Sequence, residues 1–400
     1  MSLSHNPSTI TNGLVYYHDM NNTQKSWKGA PTTNLVSSPN DISATTQTTL
    51  TKTINVLDLP TGVALISPAS DMADLATGNG WIAWTINPGT AGIQYMCSWY
   101  VKAYRTESVI TWSWGGVHSG NRSSYNVNLL SGEVTSLSIV AGEAYSVVDA
   151  GNGWWRIGCS TTLSGTGSVN LYPQLNCSVG IYLCGMQIET GSVMKSFVIG
   201  TRSNTQALLD LTGSNTITTN SLTYASDGTF SFNGSSDYVS IPFNSSLFTF
   251  NNQQTICIWL KPLENDATRR NPYNQAYGGG GTITHEPSGS FNYYYGTAGS
   301  DTTPYTGFTS SFTVVQNETA YIVIRRTTDV VEWYKNGVFS NSQVNPYGAS
   351  VVTGTSNILI GSGYAGSYQG YIYNVQVFNR ALSATEISQN FNALRGRYGL

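Results

Sequence analysis

Residues 370–399 read GYIYNVQVFNRALSATEISQNFNALRGRYG, and two different periods meet in them. From Tyr371 to Phe378 the apolar side chains are aromatic or β-branched, the composition of a strand buried in a sheet. After NRALS the spacing changes. Ser383 stands as an N-cap with Glu386 three residues on, and Ile387, Phe391 and Leu394 fall on one face of a helix. The stretch therefore predicts a strand that runs into a short amphipathic helix, which packs back on a sheet.

Outward from this segment the strand pattern repeats along the chain. GLVYYHDM, QYMCSWYVKAY, VITWSW, YNVNLL, WWRIGCST, GIYLCGMQI, TICIWLKP, YIVIRR, VVEWYKNG and NILIGSG are short runs bounded by Gly, Asn, Asp or Ser. No second segment reads as a convincing helix. The expected class is all-β with one short C-terminal helix, and 400 residues are enough for two sandwich domains.

Charged residues make up 10% of the chain, against roughly 25% in ordinary globular proteins. Gly (41), Tyr (25) and Trp (10) are plentiful, and Ser, Thr and Asn fill the polar positions. A surface of hydroxyls and amides loses little on desolvation against a neutral polar partner, which points to virion, secreted or cell-surface proteins. The 18 basic and 21 acidic residues leave a net charge of −3 with no basic run, so nucleic acid is not an expected partner. No run of about 18 uncharged apolar residues is present, and MSLSHNPSTITNG has no apolar signal-peptide core. Membrane insertion is not expected, and the expected route outside a cell is release by lysis. The five cysteines (Cys97, Cys159, Cys177, Cys184, Cys257) form no CxxC pair and read as buried free thiols of a chain made in a reducing cytosol.

From about residue 205 the chain resembles the LamG-like jelly roll of the concanavalin A-like lectin and glucanase superfamily. The segments that carry the likeness are LLDLTGSNTI, TFSFNGSSDYVSIP, QTICIWLKP, VVEWYKNGVFS, NILIGSG and the closing NRALS strand-helix unit, an ending common in phage structural proteins. Such domains open with a strand of the type NGLVLYYD. Here that strand is ITNGLVYYHDMNNTQKSWKGAP at residues 10–31, far upstream of its expected place. The resemblance implies a discontinuous jelly roll of residues 1–31 and 204–400 with a second domain, 32–203, inserted after its first strand. The insert resembles a galactose-binding-type sandwich, the carbohydrate-binding module of phage tail and spike proteins, through TTNLV, YMCSWYVKA, DAGNGWWRIGCS and GIYLCGMQIETGSVMKSFVIGTRS.

A retaining β-glucanase needs carboxylates on alternate strand positions about 5 Å apart, and no E-x-D-x-E array occurs. Glu264 with Asp266, and Asp71 with Asp74, read as loop charges. His5, His18, His118 and His285 are scattered with no zinc spacing, and GGGG at 278–281 reads as a flexible hairpin loop with no phosphate-loop lysine after it. Calcium is the one metal retained as a candidate. The resemblance places Asn233 and Asp237 at its FxGxxDY segment, where they could ligate the ion or close their own turn.

Sugar binding calls for rings to stack on a pyranose and amide or guanidinium groups beside them. The candidates in the insert are Trp81 with Trp84 and Trp112 with Trp114, each pair expected on one sheet face, and Asn121 and Arg122 on the adjacent loop. Trp99, Trp154 and Trp155 read as packing. In the jelly roll Tyr273, Tyr277, Tyr293, Tyr294, Tyr295 and Tyr305 read as aromatics of adaptable binding loops, with Tyr273, Tyr277 and Tyr294 chosen as contacts. A subunit interface would use the same rings. The expected function is a non-enzymatic virion protein, a tail fibre, spike, neck or head decoration, that binds host-surface glycans and other virion proteins. The alternatives are a purely structural decoration and a glycoside hydrolase. No coiled-coil heptads set an oligomeric state, and a homo-oligomer stays open.

Overall fold

A computed structural model describes residues 8–22, 25–36, 46–48, 51–56, 70–74, 79–103, 109–116, 123–176, 180–224, 230–264 and 267–400. The chain forms two compact units, residues 1–29 with 204–400, and residues 30–203. Both are all-β sandwiches, and their strand pairs are antiparallel.

In the first unit an eight-stranded sheet runs in the order Thr223–Tyr224, Phe230–Asn233, Gln369–Phe378, Gln254–Pro262, Ala320–Arg326, Val330–Lys335 and Val338–Val344. The early strand Leu14–Asp19 pairs with Gln369–Phe378, setting Tyr16 opposite Val377 and Asp19 opposite Asn374. Facing it is a seven-stranded sheet in the order Thr218–Asn220, Tyr238–Ile241, Ile358–Ile360, Arg270–Ala276, Gly281–His285, Phe291–Gly296 and Tyr305–Thr309. Alternate residues of the two sheets meet between them. Tyr16, Ile256, Ile258 and Val375 come from one side, and Val239, Ile283, Tyr293 and Ile360 from the other.

The strand Gln254–Pro262 is buried along almost its whole length, because its second face is covered too. Cys257 and Trp259 point away from the sandwich core into a separate cluster with Tyr321, Ile387 and Leu394. The cover is the helix Ala384–Leu394, whose Ser383 and Glu386 form the capping box that their spacing predicts. A single helical turn at Asn204–Ala207 is a further helical element.

In the second unit one sheet orders Val134–Ser138, Ser124–Asn128, Val109–Gly116, Gly167–Asn176, Asn79–Gly89 and Thr46–Thr48. The other orders Tyr145–Gly151, Trp154–Thr162, Gln94–Ala103, Gly180–Thr190, Ser70–Asp74 and Thr51–Val56. Trp99, Val101, Tyr125, Val127, Ile157 and Ile188 fill its core. The exit strand Thr201–Arg202 pairs with the entry strand Thr32–Thr33, and Arg202 donates to the carbonyl of Ala30 at 3.0 Å, so the two ends of this unit meet.

Two local expectations are corrected. Asp71 and Asp74 lie in a strand with partners on both edges, not in a loop. The GGGG run does join two strands of a hairpin, but it is packed and not free: Gly278 N–H bonds the Ser300 carbonyl at 3.1 Å, and the Gly278 carbonyl accepts from Gly299 N–H at 2.9 Å. Glycine is suited to such close backbone approach. Cys97, Cys159, Cys184 and Cys257 are buried free thiols. Cys177, His5, His118 and Asp266 lie outside the described residues.

Candidate functional site

The strand Phe291–Gly296 decides which tyrosines can meet a ligand. Its residues alternate, so Phe291, Tyr293 and Tyr295 are buried while Asn292 and Tyr294 face outward. Tyr294 lies opposite Thr282 on one neighbouring strand and Gly307 on the other, and Thr282 lies opposite Asn274. This row crosses the outer face of the seven-stranded sheet. It gives that face a floor of hydroxyls and amides, in which Thr282 Oγ1 donates to Asn274 Oδ1 at 2.9 Å.

Four tyrosines gather over this floor. Tyr277, at the end of Arg270–Ala276, packs its ring 4.9 Å from Tyr305 and 4.7 Å from Tyr364. Tyr294 stands 6.1 Å from Tyr305 and edge-on to Tyr364 at 6.2 Å. Tyr277 and Tyr294 are half-buried, whereas Tyr305 and Tyr364 are each 42% exposed. Two glycines make the gathering possible. A Cβ on Gly307 would stand 2.8 Å from the Tyr294 ring, and one on Gly363, beside Tyr364, would stand 2.6 Å from Asn274 Cβ and 2.7 Å from Asn271 Cγ.

The Arg269 guanidinium enters this group. Its centre lies 5.0 Å from the Tyr294 ring and 5.8 Å from that of Tyr364, a cation–π arrangement. Nη2 donates to the Tyr294 hydroxyl, and Nε donates to Glu286 Oε1 at 3.0 Å. Thr284 also donates to Glu286. Burial works to raise the Glu286 carboxyl, but the hydrogen bonds from Thr284 and Arg269 outweigh it and hold the group below the usual carboxylate range. Burial alone would lower Arg269. Glu286 and the neighbouring phenols raise it above its ordinary value, so the pair is charged at neutral pH.

Of the jelly-roll tyrosines expected at a site, Tyr277 and Tyr294 meet here together with Tyr305. Tyr273 is a correction. It is fully buried in the sandwich core, because it sits opposite Ile283 in the inward row, and so it cannot touch a ligand. Tyr293 and Tyr295 are buried for the same reason of parity. The sequence reading missed Arg269, Glu286 and Tyr364 as members.

In the second unit Trp84 and Trp114 both stand in register with Leu171, and Trp112 stands opposite Tyr125. Trp81 pairs with Gln174, in the same unbulged stretch as Trp84. Asn121 and Arg122 lie outside the described residues. Asn233 and Asp237 are committed to their own turn. The fully buried Asp237 accepts from Asn233 N–H at 3.0 Å, and Asn233 Oδ1 accepts from the N–H groups of Ser235 and Ser236. Among the described residues no group of three or more His, Cys, Asp or Glu side chains is placed to hold a metal.

Residues 233–388, the stretch that contains the tyrosine cluster, match the family model of the concanavalin A-like lectin/glucanases superfamily. The first unit is a jelly-roll β-sandwich by strand order, and this stretch of it is similar to that superfamily. No curated protein matches the chain. Among solved structures it is similar to the receptor binding domain of botulinum neurotoxin mosaic serotype C/D, at 15% identity over 48% of this chain and 49% of that one with a TM-score of 0.39. The botulinum neurotoxin serotype D binding domain follows at 16% identity over 47% and 50%, TM-score 0.38. The binding domain of Paraclostridial Mosquitocidal Protein 1 stands at 17% over 46% and 49%, TM-score 0.36. The chain spans about half the length of these structures.

Proposed function

We propose that this protein is a non-catalytic adhesin displayed on a virion, and that it binds host-surface glycans through the tyrosine cluster of its lectin-like jelly roll. The observation that carries the reading is the half-open group of Tyr277, Tyr294, Tyr305 and Tyr364, with Arg269 against the rings of Tyr294 and Tyr364 and buried Thr282 and Asn274 beneath. Phenol rings offer a rigid apolar face for a pyranose, and the guanidinium and nearby amides offer donors for its hydroxyls. A general acid for glycoside cleavage needs a raised carboxyl pKa. Glu286 is held down instead, which supports binding over hydrolysis.

The virion setting rests on the sparse charge, the hydroxyl-rich surface and the NRALS ending, and the 30–203 unit is proposed as a second, galactose-binding-type module. Single contacts of this kind are weak, and many copies on one particle would strengthen them. The test is a glycan array and a host-cell adsorption assay with the whole chain and with Tyr305→Ala/Tyr364→Ala. Binding by the parent that vanishes in the folded double variant supports the reading. Equal binding by both removes the cluster from it.

One observation favours a structural role instead. Among the described residues Val338–Val344 is an edge strand without charge or proline, and Val338, Phe339 and Val344 are 68%, 51% and 77% exposed. Such an edge invites pairing with another chain. A flat glycan array together with concentration-dependent self-association in sedimentation would favour that role.

A further inference from the structure

We infer, resting on the glycan-binding reading above, that the cluster accepts neutral pyranosides and turns away acidic ones, and that Glu286 sets this preference by occupying Arg269. A free arginine fork is a strong receptor for a carboxylate, because it donates two parallel charged hydrogen bonds. Arg269 is not free. Its Nε is bonded to Glu286 and its Nη2 to the Tyr294 hydroxyl, so the side of the fork formed by Nε and Nη2 is filled, and the N–H groups that remain belong to a guanidinium whose charge is already paired.

Charge points the same way. The cluster carries two carboxylates, Glu286, which holds Arg269, and Asp301, whose Oδ1 accepts the Tyr277 backbone N–H at 2.9 Å. The adjacent Arg270 offers no relief. It is buried and gives Nη1 to the carbonyls of Ser367 at 3.0 Å and Gly234 at 3.4 Å. A sialic or uronic acid entering this site would bring a third negative charge to a partly desolvated place with its cation already paired, where like charges are costly. A neutral sugar meets only ring faces and hydroxyl partners, and Arg269 locked between two rings presents little entropy to lose.

The experiment is a ligand-observed NMR titration of the full chain with two matched pairs, lactose against sialyllactose and maltotetraose against tetragalacturonate, repeated on Glu286→Gln. The parent should favour the neutral member of each pair it binds. Glu286→Gln removes the carboxylate charge that pairs Arg269 while keeping an acceptor for Nε, and it should gain about tenfold for the acidic members, the size of one charge-assisted bond. Tighter binding of acidic members by the parent, or an unchanged ratio in the folded variant, overturns the inference and leaves the glycan reading standing. No binding of any carbohydrate, on the array or here, overturns both. Should Glu286→Gln not fold, the parent's ratio alone decides.

Discussion

The two sheets of the jelly roll each carry a cluster of aromatic residues on their outer face, and the two clusters meet different fates. On the eight-stranded sheet Trp259 stacks on Phe391 at 5.6 Å and lies 4.4 Å from Tyr398 and 5.0 Å from Tyr321, sealed beneath the C-terminal helix. On the seven-stranded sheet Tyr277, Tyr294, Tyr305 and Tyr364 gather as closely, but among the described residues no helix lies over them. A dense group of rings is therefore no sign of function in itself. What separates a packing cluster from a binding one is the cover, and here that is a helix that NRALS turns back over one sheet.

That contrast can be broken at either face. The largest effect belongs to the covered one: Trp259→Ala should cost about 3–5 kcal/mol in urea unfolding, since it empties a sealed site. An effect below 1 kcal/mol would mean that the helix does not seal it. Next comes Gly363→Ala on the open face. Its methyl meets Asn271 and Asn274, so the loop bearing Tyr364 must shift, with about 1–3 kcal/mol lost and weaker sugar binding in the same protein.

Removing the cap of the cover is a smaller change. Glu386→Gln should cost about 1 kcal/mol at neutral pH. The hydrogen bond from Arg380 chiefly lowers Glu386 from 4.5 to about 2. Its folded pKa is depressed, so its stabilisation is complete above about 4.5 and is lost as pH falls through about 2. Melting temperatures of parent and variant should converge across that window, and a constant gap would remove the carboxylate from the account. The smallest stability effect is that of Tyr305→Ala, within about 0.5 kcal/mol. That variant should nevertheless bind sugar about tenfold more weakly, and stability and binding lost in proportion would make the open cluster a packing feature after all.

Much of this was legible in the residues. The strand runs and the Ser383–Glu386 box follow from local spacing, which the final fold respects, whereas the place of LVYYHD in a sheet of late strands is what the family resemblance implies. The open cluster was half legible. FNYYYG sits among Gly, Asn and Thr and so reads as a loop, yet its period of two, applied strictly, separates Tyr294 from Tyr293 and Tyr295. Tyr364, within GSGYAGSYQ, and Arg269, within ATRRNP, carry no such signal, because only folding brings them to Tyr294. Glu286 was visible as an acidic residue after a strand, and its role comes from a partner seventeen positions away.

The pairing of Leu14–Asp19 with Gln369–Phe378 also has a consequence in time. During synthesis the first strand leaves the ribosome long before its partner exists, and at translation rates of about 5–20 residues per second that delay lasts on the order of tens of seconds. The 30–203 unit, complete in itself, can fold in the interval and bring the two ends of the split domain near each other, as its adjoining entry and exit strands show. A nascent chain stalled before residue 369 would hold an apolar ribbon, Leu14 to Tyr17, with no edge to join.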